Sequence, residues 1–101
     1  MAFHCAAVLQ AYGHAYEVAA GLTGQTAAPV ADAPRALVLQ AGGDGLLPEI
    51  AARAERYHPH AESVARTSFY PTLVGDGTPY PADDGRELVI AVQSCMARYA
   101  L

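Results

Sequence analysis

Lysine and tryptophan are absent from this chain of 101 residues, and charged residues make up only 16% of it. All six basic residues are arginines, and they are scattered along the chain, so no basic patch is predicted that would contact the phosphates of a nucleic acid. Ten acidic residues bring the formal net charge to −4. These absences exclude nucleic acid from the expected partners.

Long hydrophobic runs and metal-binding cysteine spacings are also missing. No uncharged apolar stretch reaches the roughly 18 residues that a membrane span needs, so no membrane contact is expected. The N-terminus has no basic segment ahead of an apolar one, which argues against a secretory signal. Cys5 and Cys95 lie at opposite ends of the chain. We therefore predict a cytoplasmic protein with two reduced, buried cysteines.

Apolar residues are abundant instead, at 52% of the chain, although many are alanines. One domain covering residues 1–101 is expected at this length, with a core that needs neither disulfide nor metal. The apolar fraction exceeds what a small monomer needs to bury. This excess predicts a homo-oligomer.

Two segments near the chain ends have helical patterns. Residues 3–20 are rich in alanine, which favours a helix, although a strand with its polar side chains on one face remains an alternative. Residues 86–99 place apolar residues on one helical face, but the run L-V-I-A-V is also compatible with a strand. Helix against strand is thus left open at both ends.

The middle of the chain predicts a sheet. The short apolar run in 35–40 is typical of a covered strand, and glycines follow it in a turn over 41–45. A helix is predicted over 46–57, ended by Pro59. Two loops (21–34 and 75–85) and an edge strand interrupted by Pro71 (64–74) complete the pattern. The predicted fold is a small α/β or α+β domain, a short sheet with two or three packed helices.

The turn carries the candidate ligand site at Gly42, Gly43, Asp44 and Gly45. Glycines allow backbone amides to approach a ligand closely, and the N-terminus of a helix attracts an anion. We therefore expect an anionic small molecule, for example a phosphorylated one, to bind the amides of 43–47. Asp44 would repel that anion unless it holds a cation or caps the helix. A tight turn without a ligand is the simpler structural explanation.

The tetrapeptide Gly42–Gly45, with an apolar run before it and L-L-P-E-I after it, resembles the G-G-D-G signature of the diacylglycerol and NAD kinase families. That resemblance implies that the glycines help bind nucleotide phosphates and that Asp44 is important for activity. Leu46 departs from the serine or threonine of those kinases. The same segment is similar to turns of thiamine-diphosphate enzymes and α/β-hydrolases, so it identifies none of these families.

Histidines supply the second set of candidates. His58 and His60 flank Pro59, and His14 lies within reach of Glu17 on a helix, so all three histidines are candidate acid–base groups or metal ligands. No recognised metal-binding spacing accompanies them, so no metal site is assigned and no cofactor is named. The alternative function is that of a non-catalytic oligomeric subunit or protein-interaction module. Whether the protein is an enzyme stays open.

Overall fold

The computed structural model describes residues 1–22, 24, 33–69 and 83–100, and helices are the only regular structure among them. The α-helices are α1 (Ala2–Leu22), α2 (Arg35–Ala41), α3 (Leu47–Glu55), α4 (His58–Val64) and α5 (Asp83–Tyr99). A 3₁₀ turn (Asp44–Leu46) leads into α3, and a π-helical turn (Ala65–Phe69) continues α4. The expected α/β or α+β sheet is therefore wrong: in the described residues this is a small helical domain.

The predicted strand over 35–40 is α2. Leu37 and Val38 are buried, whereas Leu39 and Gln40, the next two residues, are exposed. Burial in successive pairs is typical of a helix that packs on one face. A short apolar run cannot distinguish such a helix from a covered strand, which is why the prediction failed. The strand–turn–helix unit is consequently a helix–turn–helix unit.

The helix predicted over 46–57 exists as α3, but Pro59 does not end it. Pro59 lies in the first turn of α4. There its missing N–H costs nothing, because first-turn amides have no acceptor within the helix. The predicted edge strand over 64–74 is also wrong where it is described, since 64–69 are helical. Residues 70–74, most of the loop 21–34 and the loop residues 75–82 lie outside the described residues.

Helix α1 is the centre of the fold, and the helical alternative for 3–20 is confirmed. It contacts α2, α3, α4, α5 and the π-helical turn. Alanines with at most 1% exposure lie along it, namely Ala6, Ala7, Ala11, Ala15 and Ala19. Because alanine has a small side chain, neighbouring helices can approach α1 closely from several sides. This explains why its apolar residues are not restricted to one stripe.

Helix α5 is amphipathic, and the helical pattern predicted over 86–99 is confirmed. Its buried side includes Leu88, Val92 and Cys95, and this side packs against α1 and α4. One hydrophobic cluster contains residues of all five helices. None of the helices in the described ranges is long and apolar enough to cross a bilayer.

The two cysteines are joined in a disulfide, Cys5–Cys95, across a sequence separation of 90 residues. The prediction of two reduced cysteines is therefore wrong in this structure. The packing of α1 against α5 brings the early part of α1 beside the late part of α5, with a Cα–Cα distance of 5.5 Å. That distance lies within the ordinary range for a disulfide. Sequence distance between the cysteines concealed this proximity.

Candidate functional site

The glycine turn ends α2. Gly42 has a φ of 145° and Gly43 a φ of 106°, conformations that residues with a side chain rarely adopt. The amides of both glycines donate hydrogen bonds to the carbonyl oxygen of Val38, at 3.2 and 2.9 Å. A Cβ added to Gly42 would lie 2.9 Å from Cδ1 of Leu46. The end of α2 thus explains the presence of both glycines, because they adopt positive φ values and cap the last turn of the helix.

Several amides of the expected anion cradle have acceptors inside the protein. The Gly43 amide donates to the carbonyl oxygen of Val38. The Leu46 amide donates to the carbonyl oxygen of Gly43 at 3.1 Å, and the Leu47 amide donates to that of Asp44. The remaining predicted site residue, Gly45, has an ordinary φ and open space around its Cα. An anion at this turn would therefore meet the amides of Asp44 and Gly45 rather than a full cradle.

Asp44 pairs with a cation from α2. Nη1 of Arg35 lies 3.3 Å from Oδ1 of Asp44, and both side chains are well exposed. Asp44 is the first residue of the 3₁₀ turn, and the N-cap position is held by Gly43, so Asp44 does not occupy the capping position expected for it. No sequence pattern connects Arg35 with the turn, because a strand over 35–40 would separate its side chain from Asp44 by the length of the strand. The pair partly neutralises the carboxylate that would otherwise repel an anion.

His14 and His58 are brought together by the packing of α1 on α4. Their rings are stacked, with centroids 4.1 Å apart and planes inclined by 18°. Nδ1 of His14 lies 3.7 Å from Oε2 of Glu17, the i,i+3 contact expected from the sequence. The two histidine candidates thus form one cluster, although no sequence pattern linked them.

The position of His58 favours its neutral form. Burial, and next the neighbouring His14 imidazole, lower the pKa of His58 below its ordinary value of 6.5. Three carboxylates oppose this shift more weakly, those of Glu55, Glu62 and Glu17. A neutral imidazole at neutral pH can accept a proton, and protonation of both stacked rings would place two positive charges together.

His60 has other neighbours. Its ring lies 6.3 Å from that of Tyr57, whose hydroxyl lies 3.5 Å from Nδ1 of His4. His58 and His60 therefore belong to different surroundings, despite their spacing of two residues. The proximity of His4 to Tyr57 joins α1 to the start of α4, and no sequence pattern indicated it.

Tyr12, two residues before His14, packs against Tyr16 on the same helix. Its ring meets that of Tyr16 edge to face, at 5.7 Å between centroids. Burial, and next the Tyr16 hydroxyl, raise the pKa of Tyr12 to about 12, so its hydroxyl stays protonated at neutral pH. Within the described ranges, no group of three histidine, cysteine, aspartate or glutamate side chains is arranged to hold a metal ion.

A pocket of about 200 Å³ lies where α1 begins and α5 approaches its end. Both half-cystines line it, together with His4, Ala91, Ser94 and Arg98. Sequence reasoning missed this site altogether, because the residues come from the two ends of the chain. The only signal was the presence of two cysteines, which carried no motif.

Comparison of the chain with protein-family models, with curated proteins and with solved structures finds no match. The resemblance of the G-G-D-G tetrapeptide to kinase families therefore gains no support from these comparisons.

Proposed function

We propose that this chain is a non-catalytic helical module that associates with a second copy of itself through exposed apolar side chains of α2 and α5. Leu39 on α2 is 56% exposed and Ile90 on α5 is 54% exposed. Both helices already bury other apolar residues against the core, so these two side chains are surplus to the fold. Their exposure is the observation that supports the proposal.

The physical reason is the cost of leaving large aliphatic side chains in water. Burying a leucine or isoleucine fully stabilises a protein by about 1.5–3 kcal/mol, and an interface is one way to gain that free energy. A second copy is the simplest partner, because symmetric homo-oligomers dominate soluble assemblies. The apolar composition of the chain is consistent with such an interface.

Native mass spectrometry and sedimentation velocity of the purified protein test the proposal. We expect a dimer or larger homo-oligomer, and we expect Leu39→Lys or Ile90→Lys to shift it to monomer. Gln40→Lys and Gln93→Lys are matched controls, because each adds the same charge to an exposed polar position of the same helix. A monomeric wild-type protein at high concentration contradicts the proposal, and so does an oligomer that tolerates both lysine variants.

Binding of an anionic small molecule at Gly42–Gly45 is the second candidate function. The observation that favours it is the exposed Arg35 guanidinium beside the turn, because an arginine can pair with a phosphate or carboxylate group. To bind such an anion, Arg35 would have to give up part of its ion pair with Asp44. The expected ligand remains an anion, for example a phosphorylated metabolite.

Titration with inorganic phosphate, followed by amide NMR shifts, tests this second function. Shifts should concentrate at Asp44 and Gly45, and Arg35→Gln should abolish them. Arg56→Gln is the control, because it removes an exposed arginine from another place on the surface. Gly43→Val is unsuitable, since the φ of Gly43 would strain any side chain. Unchanged shifts in Arg35→Gln would exclude the site.

A further inference from the structure

The disulfide lies at the pocket between the beginning of α1 and the late part of α5. Cys5 is 1% exposed and Cys95 is 4% exposed, so the two residues are closely covered by the rest of the protein. Both nevertheless line the pocket of about 200 Å³. A volume of this size suits a small molecule rather than the active-site loop of another protein. The pocket therefore brings a small reagent up to the two residues that form the disulfide.

A positive charge stands in the same pocket. Arg98 lines it one turn after Cys95 on α5, and its side chain is exposed. An arginine at the entrance attracts an anionic reagent and holds it close to the sulfur atoms. This charge belongs to no other described ion pair. The pocket thus combines a cleavable bond with a cation beside it.

The two sulfur atoms differ in their position along the helices. Cys5 is the fourth residue of α1, a helix of 21 residues, and lies near its positive N-terminal end. Cys95 lies four residues before the end of α5, near the negative C-terminal end. Arg98 would favour a thiolate at Cys95, but once its charge is paired with an anionic reagent the helix ends favour a thiolate at Cys5 over one at Cys95. In disulfide exchange the better stabilised thiolate is the better leaving group.

We propose that this pocket is a site of thiol–disulfide exchange with small anionic thiols, which are guided by Arg98 and attack Sγ of Cys95. The new bond joins the thiol sulfur to Cys95, the Cys5–Cys95 bond breaks, and its electron pair leaves on Cys5 as a thiolate. A second thiol then attacks the mixed disulfide at the sulfur of the first. It releases Cys95 as a thiolate and forms the disulfide of the small thiol.

The overall reaction transfers two electrons from the small thiols to the protein disulfide. Two small thiols are oxidised to one disulfide, the protein disulfide is reduced to two thiols, and the two protons of the reagent thiols end on the cysteines. The co-reactant is thus the small thiol itself. The consequence for the protein is that the covalent link between α1 and α5 opens.

Reduction kinetics with two thiols test the proposal. The oxidised full chain is mixed with 2-mercaptoethanesulfonate, whose sulfonate adds a negative charge to that of the thiolate, or with 2-mercaptoethanol, which has no charge besides that of the thiolate, at equal thiolate concentrations. We expect the anionic thiol to react faster by about fivefold in the wild-type protein, which is the factor for two unit charges about 4 Å apart in water. Arg98→Gln should abolish the preference. Arg66→Gln, which removes an exposed arginine that does not line the pocket, should keep it.

A second measurement on the wild-type protein keeps the test independent of any variant. Raising the ionic strength to about 1 M should remove most of the advantage of the anionic thiol, because salt screens the attraction to Arg98. Acid quenching followed by peptide mapping should locate the first adduct on Cys95. Rates that do not depend on thiol concentration would show that the disulfide opens only on unfolding and would overturn the proposal. An equal rate for both thiols, or a first adduct on Cys5, would also overturn it.

Discussion

The glycine turn and the disulfide pocket differ in how visible they are in the sequence and in what they offer chemically. The turn is the most conspicuous motif of the chain, yet the backbone carbonyls of Val38 and Gly43 already accept hydrogen bonds from its amides. The pocket has no motif, yet it joins a disulfide, an arginine and a histidine in about 200 Å³. A glycine-rich pattern is therefore as compatible with the end of a helix as with a ligand-binding turn.

Removal of the disulfide should have the largest effect on stability. The double variant Cys5→Ser with Cys95→Ser frees a loop with a sequence separation of 90 residues, and the chain-entropy model expects a loss of about 4.6 kcal/mol. Urea unfolding of the variant and of the oxidised wild-type protein measures this difference. Equal midpoints for the two proteins would mean that α1 and α5 are held together by packing alone.

Substitution of the turn glycines should have the next largest effect. Gly42→Ala forces a side chain into a positive φ and against Leu46, so a loss of about 1–3 kcal/mol is expected. Gly45→Ala is the matched control, because its φ is ordinary and its surroundings are open, and it should cost nothing. Thermal unfolding compares the two variants. Equal losses would show that capping of α2 does not explain the glycines.

Acidification should weaken the α1–α4 contact through His58. Its pKa is lowered in the folded state, so the unfolded chain binds a proton at a higher pH than the folded protein does. The contribution of His58 to the free energy of unfolding is therefore fully present above the ordinary histidine pKa of 6.5. It falls as the pH decreases below that value, until His58 is also protonated in the folded state. Urea titrations from pH 8 to pH 5 measure this dependence.

The control for this pH test is His58→Gln, in which the decline between pH 7 and pH 5 should be shallower than in the wild-type protein. An unchanged slope would show that the stacking of His14 and His58 carries no penalty on protonation.

Disruption of the Arg35–Asp44 pair should have the smallest effect. Both side chains are largely exposed, so Asp44→Asn should change stability by less than about 1 kcal/mol. A double-mutant cycle with Arg35→Gln isolates the interaction from other effects of each substitution. A coupling free energy well above about 1 kcal/mol would contradict this expectation. It would mean that the Arg35–Asp44 pair holds the turn in its conformation.

Local patterns favoured the two long helices and predicted α3, but they failed for α2 and for the start of α4. Residues 3–20 and 86–99 are long enough for alanine content and helical periodicity to favour the right structure. The run A-L-V-L in α2 is too short for periodicity, and burial of Leu37 and Val38 with exposure of Leu39 follows only from packing on α1. Pro59 was misread for a related reason, because a proline is equally compatible with a helix end and with a first turn.

From local pattern alone, helices were favoured over strands for 3–20 and 86–99, a glycine turn was placed at 41–45, and His14 was placed within reach of Glu17, because each depends on residues within a few positions of one another. Only the tertiary structure decided the pairing of Cys5 with Cys95 and the stacking of His14 on His58. These contacts join distant parts of the chain. They exist because several helices pack against the small alanine side chains of α1, and no local pattern encodes which residues meet there.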